Sequence, residues 1–222
     1  MLRNARTLSL ICILGALGLS SVSVDARHRH SSHEGTAGRF DYYLLSLSWS
    51  PSYCLIHPED ASQCHRRGYG FVLHGLWPQY EGGGYPQDCA TSAVLTAQAF
   101  ALARTIYPSP KLIEHEWQRH GTCSGLDALG YFRTADAALA VVRIPPVFAA
   151  PATDQQLDVE TIRRRFLAAN PSMPADGLSV RCSRGELTEV RVCLSRELKV
   201  RRCDGALGSR CDRAALSIPS VR

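Results

Sequence analysis

Large apolar residues recur with a period of two early in the chain: Tyr43, Leu45, Leu47 and Trp49 alternate with Leu44, Ser46, Ser48 and Ser50. That period predicts a half-buried strand ending at Pro51. Its predicted partner is the short apolar run at residues 70–74, with His74 at the strand's end. The segment EGGGYPQDC, residues 81–89, reads as a loop. The period then lengthens. Leu95, Ala99, Leu102 and Ile106 predict a helix that begins at Ser92 and is stopped by Pro108 and Pro110. Residues 111–121 predict a short helix closed by Gly121. Phe132, Ala135, Leu139 and Val142 mark another, ended by Pro145 and Pro146, and Val159, Ile162, Phe166 and Ala169 one more, ended by Pro171. Period two returns near the end, where Leu178, Val180 and Cys182, then Val190, Val192 and Leu194, alternate with polar neighbours. Strand, helices, then strands predict a single α+β domain, with a central antiparallel sheet packed by helices, rather than βαβ repeats.

The N-terminus follows a different rule. Arg3 and Arg6 precede an apolar stretch at residues 8–24, and Val24-Asp25-Ala26 offers a small residue for cleavage, so residues 1–26 read as a secretory signal peptide. Gly15, Gly18 and the serines at 20, 21 and 23 dilute the stretch and argue against a membrane anchor, and Ile11 before Cys12 argues against lipoprotein processing. Residues 27–39 carry histidines and almost nothing apolar, which predicts a flexible tail, and the domain is expected over residues 40–222. The composition, 45% apolar and 20% charged, excludes a disordered chain, and no repeat of solenoid spacing is present. Once Cys12 leaves with the signal, eight cysteines remain. An even number in an exported chain predicts disulfides, and the lack of any C-x2-C pair argues against thiolate-bound zinc. A net charge of +5 permits a polyanionic partner without demanding one. The expected location is secreted or periplasmic. The periplasm is slightly favoured because no glycosylation sequon survives, Asn170 being followed by Pro171.

Two segments carry chemistry. In His115-Glu116-Trp117-Gln118-Arg119-His120-Gly121, a helical turn of ~100° per residue puts His115, Arg119, Glu116 and His120 on one side and Trp117 and Gln118 on the other. Two imidazoles, a carboxylate and a guanidinium so close together perturb one another's protonation, as a working site requires. The plain alternative is a solvated face with Glu116 and Arg119 paired at i, i+3. A zinc-protease reading is disfavoured: the second histidine falls at i+5 rather than i+4, which points the imidazoles ~140° apart, and Arg119 would repel a cation. In Phe71-Val72-Leu73-His74-Gly75-Leu76-Trp77-Pro78, Gly75 and Pro78 are expected to break the strand and leave His74 and Trp77 at its exit.

FVLHGLWPQY and HEWQRHGTCSG together resemble the two signature segments of the T2-type ribonucleases, secreted acid-active endoribonucleases. The resemblance extends from residue 40 to 211 and includes LTEVRVC near the C-terminus. It implies that His74 and His120 form the acid and base pair, that His115 holds the scissile phosphate, and that Glu116 and Arg119 stabilise the phosphorane. The family usually has lysine where this chain has Arg119, and often aspartate where it has Gln79. Arginine keeps the charge and adds a bidentate fork. Trp77, Gln79, Tyr80 and Tyr85 are the expected base-binding residues. Cys54 with Cys64 would close a short loop, and the resemblance further implies disulfides Cys89–Cys123, Cys182–Cys211 and, nested inside the last, Cys193–Cys203. The expected activity is cleavage of single-stranded RNA by a monomer through a 2′,3′-cyclic phosphate, with low base specificity, no cofactor, no metal and no membrane partner after signal cleavage. The alternatives are an RNA-recognition protein that keeps the fold and, less favoured, a metal-dependent hydrolase.

Overall fold

In the computed structural model, which describes residues 33–90, 93–203, 211 and 213–221, the chain first pairs at β1 (His33–Glu34), parallel to β4 (Pro86–Gln87). Gly35 N–H then donates to Gln87 O at 3.1 Å and Gly38 N–H to Cys123 O at 2.9 Å. Among the described residues, backbone contacts thus start ahead of Phe40, at His33; the predicted signal peptide and the start of the tail lie outside the described residues.

The central strand is β2 (Tyr42–Trp49), antiparallel to β3 (Phe71–Gln79) on one side and to β7 (Glu186–Leu194) on the other. β6 (Leu178–Ser183) forms a hairpin with β7, while β5 (Gln155–Leu157) and β8 (Leu216–Ile218) pair at the far end. The sheet is antiparallel except where Glu186 meets Ser217 in parallel. The expectation of a half-buried β2 is corrected. Tyr43, Leu45, Leu47 and Trp49 enter the main core, but Tyr42 and Leu44 join Cys193 in a second apolar cluster on the other face, and Ser46 is fully buried. A strand with neighbours on both edges and side chains over both faces has no wet side.

β3 also departs from expectation, because Gly75 and Pro78 do not end it. Pro78 is tolerated since β3 lies at the sheet's edge. Opposite the adjacent residues Ser46 and Leu47 stand Gly75 and Leu73, so His74 is the extra residue of a β-bulge. Bulges re-aim side chains, and this one places His74 within the strand rather than at its exit.

Helices α1 (Ser50–Ile56) and α2 (Ala61–Cys64) follow β2, with Pro51 in the first turn of α1, where a missing N–H costs nothing. α3 (Ala97–Ala103) starts later than predicted, and Ser92 itself lies outside the described residues. Thr96 caps it by accepting from Ala99 N–H, and Ala93 is held instead by the Trp117 indole N–H at 3.1 Å. α4 (Pro110–Arg119) is capped by Ser109. Gly121 does not close it: the chain tightens into a 3-10 turn, Gly121–Ser124, and reverses at Gly125, whose φ of 79° suits glycine. Gly121 is needed for another reason, since a Cβ there would overlap the Trp117 and Tyr131 rings. α5 (Ala128–Val141) and α6 (Val159–Ala169) supply Phe132, Ile162 and Phe166 to the core, and the Tyr131 hydroxyl donates to Leu76 O at 3.0 Å, tying α5 to β3.

Among the described residues four disulfides are present, Cys54–Cys64, Cys89–Cys123, Cys182–Cys211 and Cys193–Cys203, the expected pairs. Cys89–Cys123 ties the loop after β3 to the turn after α4. No helix among the described residues is long and apolar enough to cross a membrane.

Candidate active site

The bulge in β3, the end of α4 and one face of β7 converge on a single indole. Trp77 Nε1–H donates to Glu116 Oε2 at 2.8 Å. The His74 ring meets the Trp77 ring edge-on at 5.1 Å, the His120 ring lies 5.3 Å from it, and the Arg191 guanidinium sits 5.0 Å over it. Gly75 permits this, because a Cβ there would overlap both Glu116 Oε2 and Trp77 Nε1. His74 Nδ1 is 2.6 Å from Glu189 Oε1, and the other Glu189 oxygen accepts from Arg191 Nε at 2.7 Å and Nη2 at 2.6 Å. Around His120 stand His115 at 6.2 Å and Tyr85 at 6.0 Å between ring centroids.

This packing biases the two imidazoles in opposite directions. Burial works to discharge His74, but the hydrogen bond and charge of Glu189 outweigh it, so its pKa is raised and the charged form of the ring is favoured. Glu189 shows the other half of that pairing: burial would raise its pKa, yet His74 and Arg191 pull it down to about 2. At His120, burial is joined by the positive neighbours His115, Arg119 and His74, and the pKa falls to about 3. Burial lifts the Glu116 pKa to about 8 against the opposing effects of His74 and the Trp77 hydrogen bond, so below that pH the side chain is a neutral acid. Its Oε1 and His120 Nδ1 are buried without a hydrogen-bond partner. His115 is exposed, and its pKa is lowered by partial desolvation, then by Arg119 and His74, with Asp88 opposing.

The structure thus brings His74, Trp77, Tyr85, His115, Glu116 and His120 together, with Arg119 half-buried on the last turn of α4. The solvated-face alternative is overturned: Glu116 is fully buried and makes no ion pair with Arg119 among the described residues. Trp77 is placed differently from the expected stacking platform, since Arg191 and His120 pack on its ring. Gln79 is buried at 7% exposure, its amide donating to Pro78 O, so it is withdrawn from base reading. Tyr80 is half-buried at the start of the Gly82–Gly84 turn, where its backbone pairs with Gly84. The ~140° separation of His115 and His120 does not hold them apart, because His120 leaves helical geometry at φ −119°. Donor atoms of His115, Glu116 and His120 all lie within 4.8 Å of one another, close enough to hold a metal ion, with Arg119 adding positive charge beside them. Sequence reasoning missed Glu189 and Arg191. Their signal was the alternation in LTEVRVC, which puts both on the face opposite core residues Val190 and Val192.

An imidazole on the sheet biased toward its charged form and one at the end of α4 biased toward its neutral form flank one indole beside a buried carboxyl, an arrangement suited to acid–base chemistry. The model of the Ribonuclease T2 family matches residues 40–203. A ribonuclease of Aeromonas hydrophila is 40% identical over 179 residues, covering 74% of this chain and 76% of that protein. A probable ribonuclease of Haemophilus influenzae is 30% identical over 182 residues, covering 73% of this chain and 61% of that one. The fold is similar to that of an RNase-related protein from Calystegia sepium, with a TM-score of 0.69 at 24% identity over 86% of this chain and all of that one. The chain belongs to the ribonuclease T2 family and is an endoribonuclease.

Proposed function

We propose that the protein cleaves single-stranded RNA by metal-independent transphosphorylation through a 2′,3′-cyclic phosphate, with low base specificity. The observation that carries this reading is the placement of His74 and His120 on either side of Trp77, one ring held by Glu189 and the other left without a carboxylate partner, which biases their protonation in opposite directions. Neutral His120 takes the proton from the ribose 2′-OH, and the oxygen forms a bond to the adjacent phosphorus. Cationic His74 gives its proton to the departing 5′-oxygen as that P–O bond breaks. The product is a cyclic phosphate and a new 5′-OH, with each proton accounted for. Arg119 and His115 meet the charge on the phosphate oxygens. Glu116, awkward as an anion beside phosphate, is suited to the task when neutral: its Oε1 is buried with no partner in the fold, so a proton carried there would be donated to a phosphorane oxygen seated against it.

The burial of Gln79 supports low base specificity, with Tyr80 and Tyr85 on a glycine-rich loop left to stack on whichever base arrives, at ~1 to 3 kcal/mol each. Among similar folds, RNase NT is solved with 5′-AMP, at a TM-score of 0.62, and an RNase MC1 variant with 5′-UMP, at 0.63, which supports nucleotide binding in this architecture. Four disulfides support an oxidising, secreted or periplasmic location; the protein works there as a monomer after removal of residues 1–26. The pH dependence of kcat/KM on an oligoribonucleotide tests the assignment. The rate should rise as His120 loses its proton, fall as His74 loses its own, and peak below neutrality. His74→Ala and His120→Ala should each lower kcat by ~10² to 10⁴ with the fold intact. A flat profile, or wild-type kcat in either variant, contradicts the assignment.

A further inference from the structure

We propose that Glu189 and Arg191 are positioning residues for the reaction, Glu189 fixing the tautomer and charge of His74 and Arg191 fixing Glu189. The inference rests on the reading of His74 as the acid. Strand β7 turns Val190 and Val192 into the core, so Glu189 and Arg191 project from the opposite face of the sheet. Two strands over, the bulge aims His74 onto that same face. Between them on β2 stand only Ser48, paired with Glu189, and Ser46, paired with Arg191. This row of small residues lets His74 reach across β2 to a carboxylate 115 positions away in sequence, at 2.6 Å.

A mere structural pair would have closed Glu189 and Arg191 on each other. Instead the carboxylate divides its two oxygens. One is held by both nitrogens of the guanidinium fork, and the other is presented to Nδ1 of His74. An acceptor at Nδ1 requires the proton there, which leaves the second N–H of the charged ring, at Nε2, as the one to be given to the 5′-oxygen. After transfer, the neutral ring keeps its Nδ1–H on Glu189, and Nε2 is the atom that must be reprotonated. Arg191 has a further contact, its guanidinium lying over Trp77, so the residue that anchors Glu189 also braces the indole between the two histidines. The other groups bearing on His74 are His115 and Glu116 from α4, His120 just after it, and Asp60 with Lys111 of α4, which line a cavity beside the ring. None of these has a hydrogen bond to its ring among the described residues.

The test is to follow the His74 imidazole by NMR titration in wild type, Glu189→Gln, Glu189→Asp and Arg191→Lys, with kcat and KM on an oligoribonucleotide measured across pH. Glu189→Gln should move the His74 titration and the alkaline limb of the rate profile to lower pH, and lower kcat by ~10-fold or more while KM changes little. Glu189→Asp should recover part of both shifts. Arg191→Lys keeps the charge but loses the fork, and should lower kcat with a shift in the same direction; it carries the test if Glu189→Gln does not fold. Unchanged His74 titration and an unchanged alkaline limb in folded variants would overturn the proposal. A shifted His74 titration in a protein that cleaves no RNA would instead overturn the function proposed above and leave the pairing intact.

Discussion

Glu116→Gln separates two roles for the buried carboxyl. In the fold the pKa of Glu116 stands at about 8, against an ordinary 4.5. At pH 7 the unfolded chain gains by ionising this group and the folded chain does not, so the side chain lowers stability by about 1.36 kcal/mol for each pH unit above 4.5, or about 3 kcal/mol in all. Because the unfolded state releases its proton first, this penalty is absent at pH 4, grows as pH rises, and levels off above pH 8. Glutamine keeps the shape, offers an amide oxygen to Trp77 Nε1, and places an N–H donor where Glu116 would carry its proton, at Oε1. Urea unfolding should therefore show equal stability at pH 4 and a variant more stable by about 3 kcal/mol at pH 7. If Glu116 works as a neutral donor, kcat/KM of the variant at pH 5 should stay within about tenfold of wild type, whereas loss of a proton-transferring group costs ~10² to 10⁴. A stability difference independent of pH would refute the buried neutral acid. Activity at pH 5 reduced by ~10³ would refute its role as a donor.

Arg119→Lys restores the residue usual at this position in the family and should retain most activity, measured as kcat/KM on an oligoribonucleotide; a variant as inactive as His120→Ala would show that the guanidinium fork is required. Replacing Cys89 and Cys123 with serine should lower stability by ~2 to 5 kcal/mol in urea unfolding and also lower activity. That bridge, with Asp88 N–H bonded to Arg119 O at 3.0 Å, holds the Tyr85 loop against α4. Loss of stability with unchanged kcat/KM would mean the loop docks without it.

The parts of this molecule legible in sequence are those set by local periodicity. The period-3.6 runs through Phe132 and Phe166 and the period-2 runs through Val180 and Val192 appear as α5, α6, β6 and β7. Where the reading failed, a non-local contact outweighed a local signal. Gly75 looks like a strand breaker, but its missing Cβ makes room for Glu116, which is 41 residues away and invisible to any window of the sequence. Pro78 survives in β3 because the strand is at an edge, a fact of topology. The helical wheel put His115 and His120 apart because it extended ideal geometry one residue past Arg119, where the helix ends. Glu189 and Arg191 read as the polar half of an amphipathic strand, and only the bulge at His74 and the serines of β2 turn that half into part of the site.

The central claim is that the substrate's own 2′-oxygen attacks the phosphorus, with protons carried by two imidazoles. The direct measurement compares one sequence as RNA, as DNA and as 2′-O-methyl RNA, in excess EDTA, with the first products identified by mass. Only the unmodified RNA should be cut, at the same rate with and without EDTA, and the first product should end in a 2′,3′-cyclic phosphate. Cleavage of the DNA or methylated strand, or loss of activity in EDTA, would contradict the account.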